Sequence, residues 1–107
     1  MSVALKQGIL IYRGDESLTV DATVGGVGLT AAELGTTVVL AVCRLETAQI
    51  RITGGGVPTA GGSEGSHIME VGEVVEIWGQ QDLRSFRAIR TGGTSGVLRI
   101  LYYGTAS

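Results

Sequence analysis

The sequence predicts an all-β fold, a single-domain β-sandwich of the jelly-roll or Ig-like kind. Three observations carry that prediction. Apolar runs of four to eight residues, rich in Val, Ile, Thr and Tyr, recur between glycine clusters along the whole chain. Glycine supplies 18 of 107 residues, more than twice its ordinary share of about 7%. Nothing at helical spacing extends beyond one turn or so. A chain of 107 residues is one domain, 1–107, and is long enough to bury a core without a disulfide or structural metal.

Gly8 to Arg13 reads as the first strand, and Arg13-Gly14-Asp15-Glu16 as a turn into a second, Ser17 to Thr23. Gly25, Gly26 and Gly28 then interrupt the ladder. Thr30-Ala31-Ala32-Glu33 fits a capping box, in which hydroxyl and carboxylate satisfy each other's backbone amides. Gly35 follows at once, so the expected helix is a single turn near residues 30–34.

Thr36 to Leu45 is almost wholly apolar and β-branched, the pattern of a strand covered on both faces at the centre of the core. Cys43 lies inside it as a small buried thiol with no nearby basic group to activate it. In Thr47 to Thr53, Ala48, Ile50 and Ile52 face one way and Gln49, Arg51 and Thr53 the other. Gly54 to Ser66 holds the single proline and six glycines, and a loop that long is either mobile or held by a neighbour. Ile68-Met69 and Val74 to Trp78 are strands joined by a turn at Val71-Gly72-Glu73. Ser85 to Thr91 and Val97 to Tyr103 flank Gly92 to Gly96, which reads as a hairpin. The total is seven or eight strands, whose spatial order the pattern does not encode.

Composition narrows the function. Charged residues make up 17% of the chain against about 25% in ordinary soluble domains, and mean hydropathy is +0.33. A small domain has much surface for its volume and should be more polar than average. This one is less polar, so part of its exterior is expected to be covered by other copies or by a larger assembly. A net charge of −2 argues against nucleic acid as a partner. No apolar run is long enough to span a membrane, and Met1 to Lys6 lacks a signal-peptide core, so synthesis in the cytoplasm is expected.

The motifs that could carry chemistry are incomplete. Gly26-x-Gly28-x-x-Ala31, with Glu46 twenty residues after Gly26, matches a dinucleotide fingerprint, but Gly35 leaves no helix long enough to cradle a pyrophosphate or cross to a parallel strand. Gly54-Gly55-Gly56 lacks the Gly-Lys-Ser/Thr of a phosphate loop. His67 is the sole histidine and Cys43 the sole cysteine, which leaves too few ligands for a zinc or multi-histidine site. Glu70, Glu73 and Glu76 cluster at a turn and on one short strand, where solvated charges are the ordinary role. No catalytic residue, metal or cofactor is expected. Arg13-Gly14-Asp15 is the tripeptide some integrin ligands display on tight loops, and is equally what a turn needs for its own backbone.

The charge pattern is more informative. The middle of the chain is acidic, whereas Arg84, Arg87, Arg90 and Arg99 oppose Asp82 near the end, and Arg outnumbers Lys seven to one. Arginine's planar fork suits fixed, partly buried ion pairs. The pattern fits an interface in which basic strands of one subunit meet an acidic turn of a neighbour, with Arg84, Arg87, Arg90, Pro58 and Glu73 as its residues. The same charges could pair within the chain. Trp78, Tyr102 and Tyr103 could offer a sugar-stacking platform, though adjacent tyrosines point to opposite faces.

Glu46-Thr47-Ala48-Gln49-Ile50-Arg51-Ile52, Val57-Pro58-Thr59-Ala60, the Val71-Gly72-Glu73 turn, Phe86-Arg87-Ala88-Ile89-Arg90 and Tyr102-Tyr103 together resemble small all-β virion proteins of tailed bacteriophages, over residues 46–103. The resemblance implies a non-enzymatic accessory part of the particle: a capsid decoration or cement protein, a head fibre or a small tail component. It implies a major capsid or tail protein as partner, a homo-oligomer with a trimer favoured, and no cofactor. A stand-alone carbohydrate-binding or adhesion module is the alternative, using Trp78, one tyrosine or the Arg13 turn.

Overall fold

A computed structural model describes residues 10–30, 34–54, 61 and 66–105. Seven strands form two antiparallel sheets. Among the described residues the strands are β1 (Ile11–Val20), β2 (Val38–Glu46), β3 (Ile50–Thr53), β4 (Ser66–Met69), β5 (Val74–Trp78), β6 (Arg87–Arg90) and β7 (Gly96–Gly104), and a short helix, α1 (Gln80–Ser85), lies between β5 and β6. The larger sheet has the order β1-β7-β2-β5 and the smaller β4-β3-β6.

An additional pairing identifies the topology. Val27, in the β1–β2 connection, forms an isolated antiparallel bridge with Ala88 of β6, made by Val27 N–H to Ala88 O at 2.8 Å and Ala88 N–H to Val27 O at 2.9 Å. If Val27 is counted as a vestigial second strand, the chain pairs first with last, second with seventh, third with sixth and fourth with fifth. That is a long hairpin wrapped into two sheets, the jelly roll. The Ig-like alternative needs several hairpins between consecutive strands of one sheet, and here only β3 and β4 are such a pair.

The core lies between the sheets. Val20 of β1, Ala41, Cys43 and Leu45 of β2, and Leu98, Ile100 and Tyr102 of β7 face Ile50, Met69 and Ala88 of the smaller sheet. Leu83 of α1 and Phe86 close one end. The alternation that puts Ile50 and Ile52 inward on β3 is the one its sequence predicts.

Several elements differ from the sequence reading. Arg13-Gly14-Asp15-Glu16 is not a turn. β1 runs through it, and the register slips between Tyr12 and Gly14 as a bulge against β7, with Gly14 at φ 145°, a conformation open to a residue without Cβ. Gly92 to Gly96 is not a hairpin loop, because β6 and β7 belong to different sheets. Side-chain period cannot distinguish a return within one sheet from a crossing to the other. Helix α1 was not expected from the sequence. Its Gly79 N-cap makes no side-chain hydrogen bond, and it is held instead by Gln80 Nε2–H donating to Leu34 O at 3.5 Å and to Val38 O. The expected turn near 30–34 and the loop from Gly54 to Ser66 lie largely outside the described residues. Thr30 is described, and its backbone N–H (3.2 Å) and hydroxyl (2.6 Å) both donate to Glu16.

Candidate docking surface

The outward face of the larger sheet is unusually apolar. Register places Tyr12, Tyr103, Leu40 and Trp78 in one row across all four strands. The next row is Asp15, Leu101, Val42 and Glu76, and the third Ser17, Arg99, Arg44 and Val74. Strand alternation explains the row: residues two apart on β2 and β7 share a face, and the outward set of β2 runs Leu40, Val42, Arg44, Glu46 while that of antiparallel β7 runs Val97, Arg99, Leu101, Tyr103.

Tyr12 and Trp78 are 55% and 54% exposed and Leu101 42%, while Leu40 between them is only 7% exposed. The Tyr12 and Tyr103 rings meet edge-on, centroids 6.3 Å apart at 77°, a favoured aromatic geometry. Polar groups at the margins hold the aromatics in place. Tyr12 Oη–H donates to Asp15 Oδ2, and Trp78 Nε1–H donates to Glu76 Oε1 at 3.1 Å. At the charged end Arg99 pairs with Glu46 at 3.0 Å and donates to Ser17 Oγ at 2.7 Å. The layout is an apolar centre with a polar rim, the anatomy of a contact surface.

Beside β5 the sheets part into a cleft of about 370 Å³ lined by Ile52, His67, Val75, Glu76, Trp78 and Asp82, among others. Among the described residues no group of three His, Cys, Asp or Glu side chains could hold a metal, and no helix is long and apolar enough to cross a membrane. Cys43 faces the core, where burial first, and the Glu16 carboxylate second, push its thiol up to about 12.

The residues the sequence singles out do not form one patch. Arg84 and Arg87 share a hollow at one end of the molecule with Gly28, Leu29 and Leu34. Arg90 lies at the other end of β6, donating to Ser95 Oγ at 3.4 Å. Glu73 sits in the β4–β5 turn, accepting from the Glu70 N–H at 2.7 Å. Pro58 lies outside the described residues. Of the three aromatics, Tyr102 points inward and is fully buried, whereas Tyr103 and Trp78 share the outer face. Arg13 and Asp15 stand at the bulge of an edge strand, engaged with Thr37 Oγ1 at 3.0 Å and with Tyr12. The sequence reading omitted Tyr12, Leu40, Val42 and Leu101. The apolar run of β2 reads as a strand covered on both faces, and on the outer face Leu40 is indeed buried and Val42 half-buried. None of the protein families, curated proteins or solved structures compared with the chain matches it.

Proposed function

We propose that this protein is a non-enzymatic structural subunit of a phage particle that docks on the capsid or tail surface through the outer face of the four-stranded sheet. The observation that carries the reading is the row Tyr12, Tyr103, Leu40 and Trp78, in which the Tyr12 and Trp78 rings stand more than half exposed on either side of a half-buried Tyr103 and a buried Leu40, on a chain with few charged residues. The likeness of residues 46–103 to phage virion proteins supports it, as does an architecture common in viral coats and also in lectins. Architecture alone does not assign a role.

Size sets the mode of binding. Four strands about 4.8 Å apart and about 25 Å long present on the order of 400 Å². That is about half of one partner's share of a standard interface. Single contacts of this kind are weak, so retention depends on repetition over a symmetric surface and on binding the assembled shell in preference to its dissociated subunits.

The test uses particles lacking this protein. Purified full-length chain should co-sediment with them and raise their heat tolerance, and Leu101→Glu, which puts a charge in the apolar centre, should abolish both while leaving the circular dichroism spectrum unchanged. Equal occupancy by Leu101→Glu would overturn the reading. The carbohydrate-binding alternative is favoured by one observation, the half-exposed Trp78 ring beside Glu76, Asp82 and His67 in the cleft. Glycan binding that is lost in Trp78→Ala, without particle binding, would select it.

A further inference from the structure

We infer that the hollow containing Arg84 and Arg87 is a carboxylate-binding site, and that its occupant is the Glu70–Glu73 turn of a second copy of this chain. The inference concerns a different surface from the apolar sheet face and stands without it.

The hollow is built for an anion. Arg84 Nε–H donates to Gln80 Oε1 at 3.0 Å and Nη2–H to Gly35 O at 2.6 Å. Arg87 Nη1 donates to Arg84 O at 3.1 Å and to Phe86 O at 2.7 Å. These four contacts are all to neutral oxygens and leave both guanidinium charges uncompensated, and neither arginine has a carboxylate partner among the described residues. Each fork is thereby fixed in direction with N–H groups to spare, the arrangement that suits a carboxylate. Both line a hollow of about 320 Å³ with Gly28, Leu29 and Leu34. A Cβ on Gly28 would lie 2.6 Å from Arg87 Nη1, so the glycine gives the guanidinium its space.

The complementary feature lies at the far end. Gly72 N–H donates to Leu45 O at 2.8 Å and Leu45 N–H to Glu73 O at 3.1 Å, which fixes the acidic turn at the C-terminal end of β2. The arginine hollow is tied to Gly35, just before the N-terminal end of the same strand. The nine residues of β2 lie between them, a span of about 27 Å from first to last at 3.4 Å per step. Glu70 and Glu73 have no cationic partner among the described residues: Glu70 accepts from Gln49 Nε2–H at 2.9 Å and Glu73 from the Glu70 N–H at 2.7 Å. Val71 between them is 55% exposed, and Leu29 and Leu34 line the hollow that would receive it. A rigid acidic turn and a rigid basic hollow at opposite ends make a head-to-tail contact, which closes into a ring when the rotation permits and otherwise extends as a filament.

The experiment is analytical ultracentrifugation of the full chain over a concentration series at low and high salt. The wild type should associate, more weakly in high salt. Arg84→Glu, at an exposed position, and separately Glu70→Arg with Glu73→Arg, on the turn, should each weaken association by about tenfold or more. Mixed together, these variants should associate again, because the intact turn of one meets the intact hollow of the other. Circular dichroism checks the fold of each, and the turn variant tests the contact even where Arg84→Glu is unfolded. A wild type that stays monomeric overturns the inference, and so does association untouched by either change. If inorganic phosphate shifts the arginine side-chain NMR signals of a chain that never associates, the hollow is a free-anion site and the second copy is excluded.

Discussion

Removing one hydroxyl should reveal how the sandwich is closed. Tyr102, fully buried on the inner face of β7, donates its phenol to Glu16 Oε1 of β1. The same carboxylate accepts the Thr30 N–H at 3.2 Å and the Thr30 hydroxyl at 2.6 Å, so one side chain joins an edge strand, the central strand β7 and the β1–β2 connection. Tyr102→Phe keeps the ring and its packing and deletes only the donor. A hydrogen bond to a charged acceptor contributes about 1.5–3 kcal/mol, and in a domain of this size each 1 kcal/mol moves the melting temperature by about 4–8 °C. The variant should therefore lose about 2 kcal/mol in urea-induced unfolding at unchanged m-value and melt about 8–16 °C lower. Glu16→Ala, which also releases Thr30, should lose more. The double variant should show a coupling energy of about 1.5 kcal/mol or above, because the two residues share one bond. Strictly additive losses, with coupling under about 0.3 kcal/mol, would refute the claim that this carboxylate is the tie.

Four further outcomes follow from local geometry. Gly104 sits where a Cβ would collide with the Thr37 carbonyl oxygen and lie 2.8 Å from its carbon and 2.9 Å from Val38 Cα, so Gly104→Ala should destabilise by about 2–3 kcal/mol in chemical denaturation. Thr47 has φ 83° at the corner between β2 and β3, a conformation costly for a β-branched residue, and Thr47→Gly should raise the melting temperature by about 2–4 °C. Asp21 accepts the hydroxyl and the backbone N–H of Thr23, and these bonds, the hydroxyl first, hold its carboxyl below its ordinary value. The contribution of Asp21 to stability is thus present above its unfolded value and lost as pH falls through the folded one, and NMR titration should show Thr23→Ala moving it back up. The Cys43 thiol, pushed up to about 12, should resist a thiol-specific chromogenic reagent at pH 8 until the chain is unfolded.

How much of this was legible in the residues depends on the range of the interaction that decides each feature. β5 begins and ends where its apolar run does, at Val74 and Trp78, because pleat and burial act within the strand itself. The pairing of β1 with β7 joins Ile11 to Gly104, and no local pattern carries a contact of that span. α1 escaped notice because it has no capping side chain and buries only Leu83, so its support comes from carbonyls some forty residues earlier in the chain. Composition leads one to expect an apolar patch on the exterior but not its position, because outward and inward apolar residues look alike until the sheets are assembled. Arg84 and Glu73 were named on charge alone; the distance between them, set by the length of β2, appears only in the fold.

The pairing order has a consequence for synthesis. β7 follows the other described strands along the chain, and both β1 and β2 find a hydrogen-bonding neighbour in it. β2 can pair with β5 first, whereas β1 is without a ladder until β7 emerges, so its docking is the late event, limited by the loop that joins Ile11 to Gly104. A protease cut just before Gly96 would sever β7 from the chain, take the only ladder of β1 among the described residues with it, and part the larger sheet at its middle.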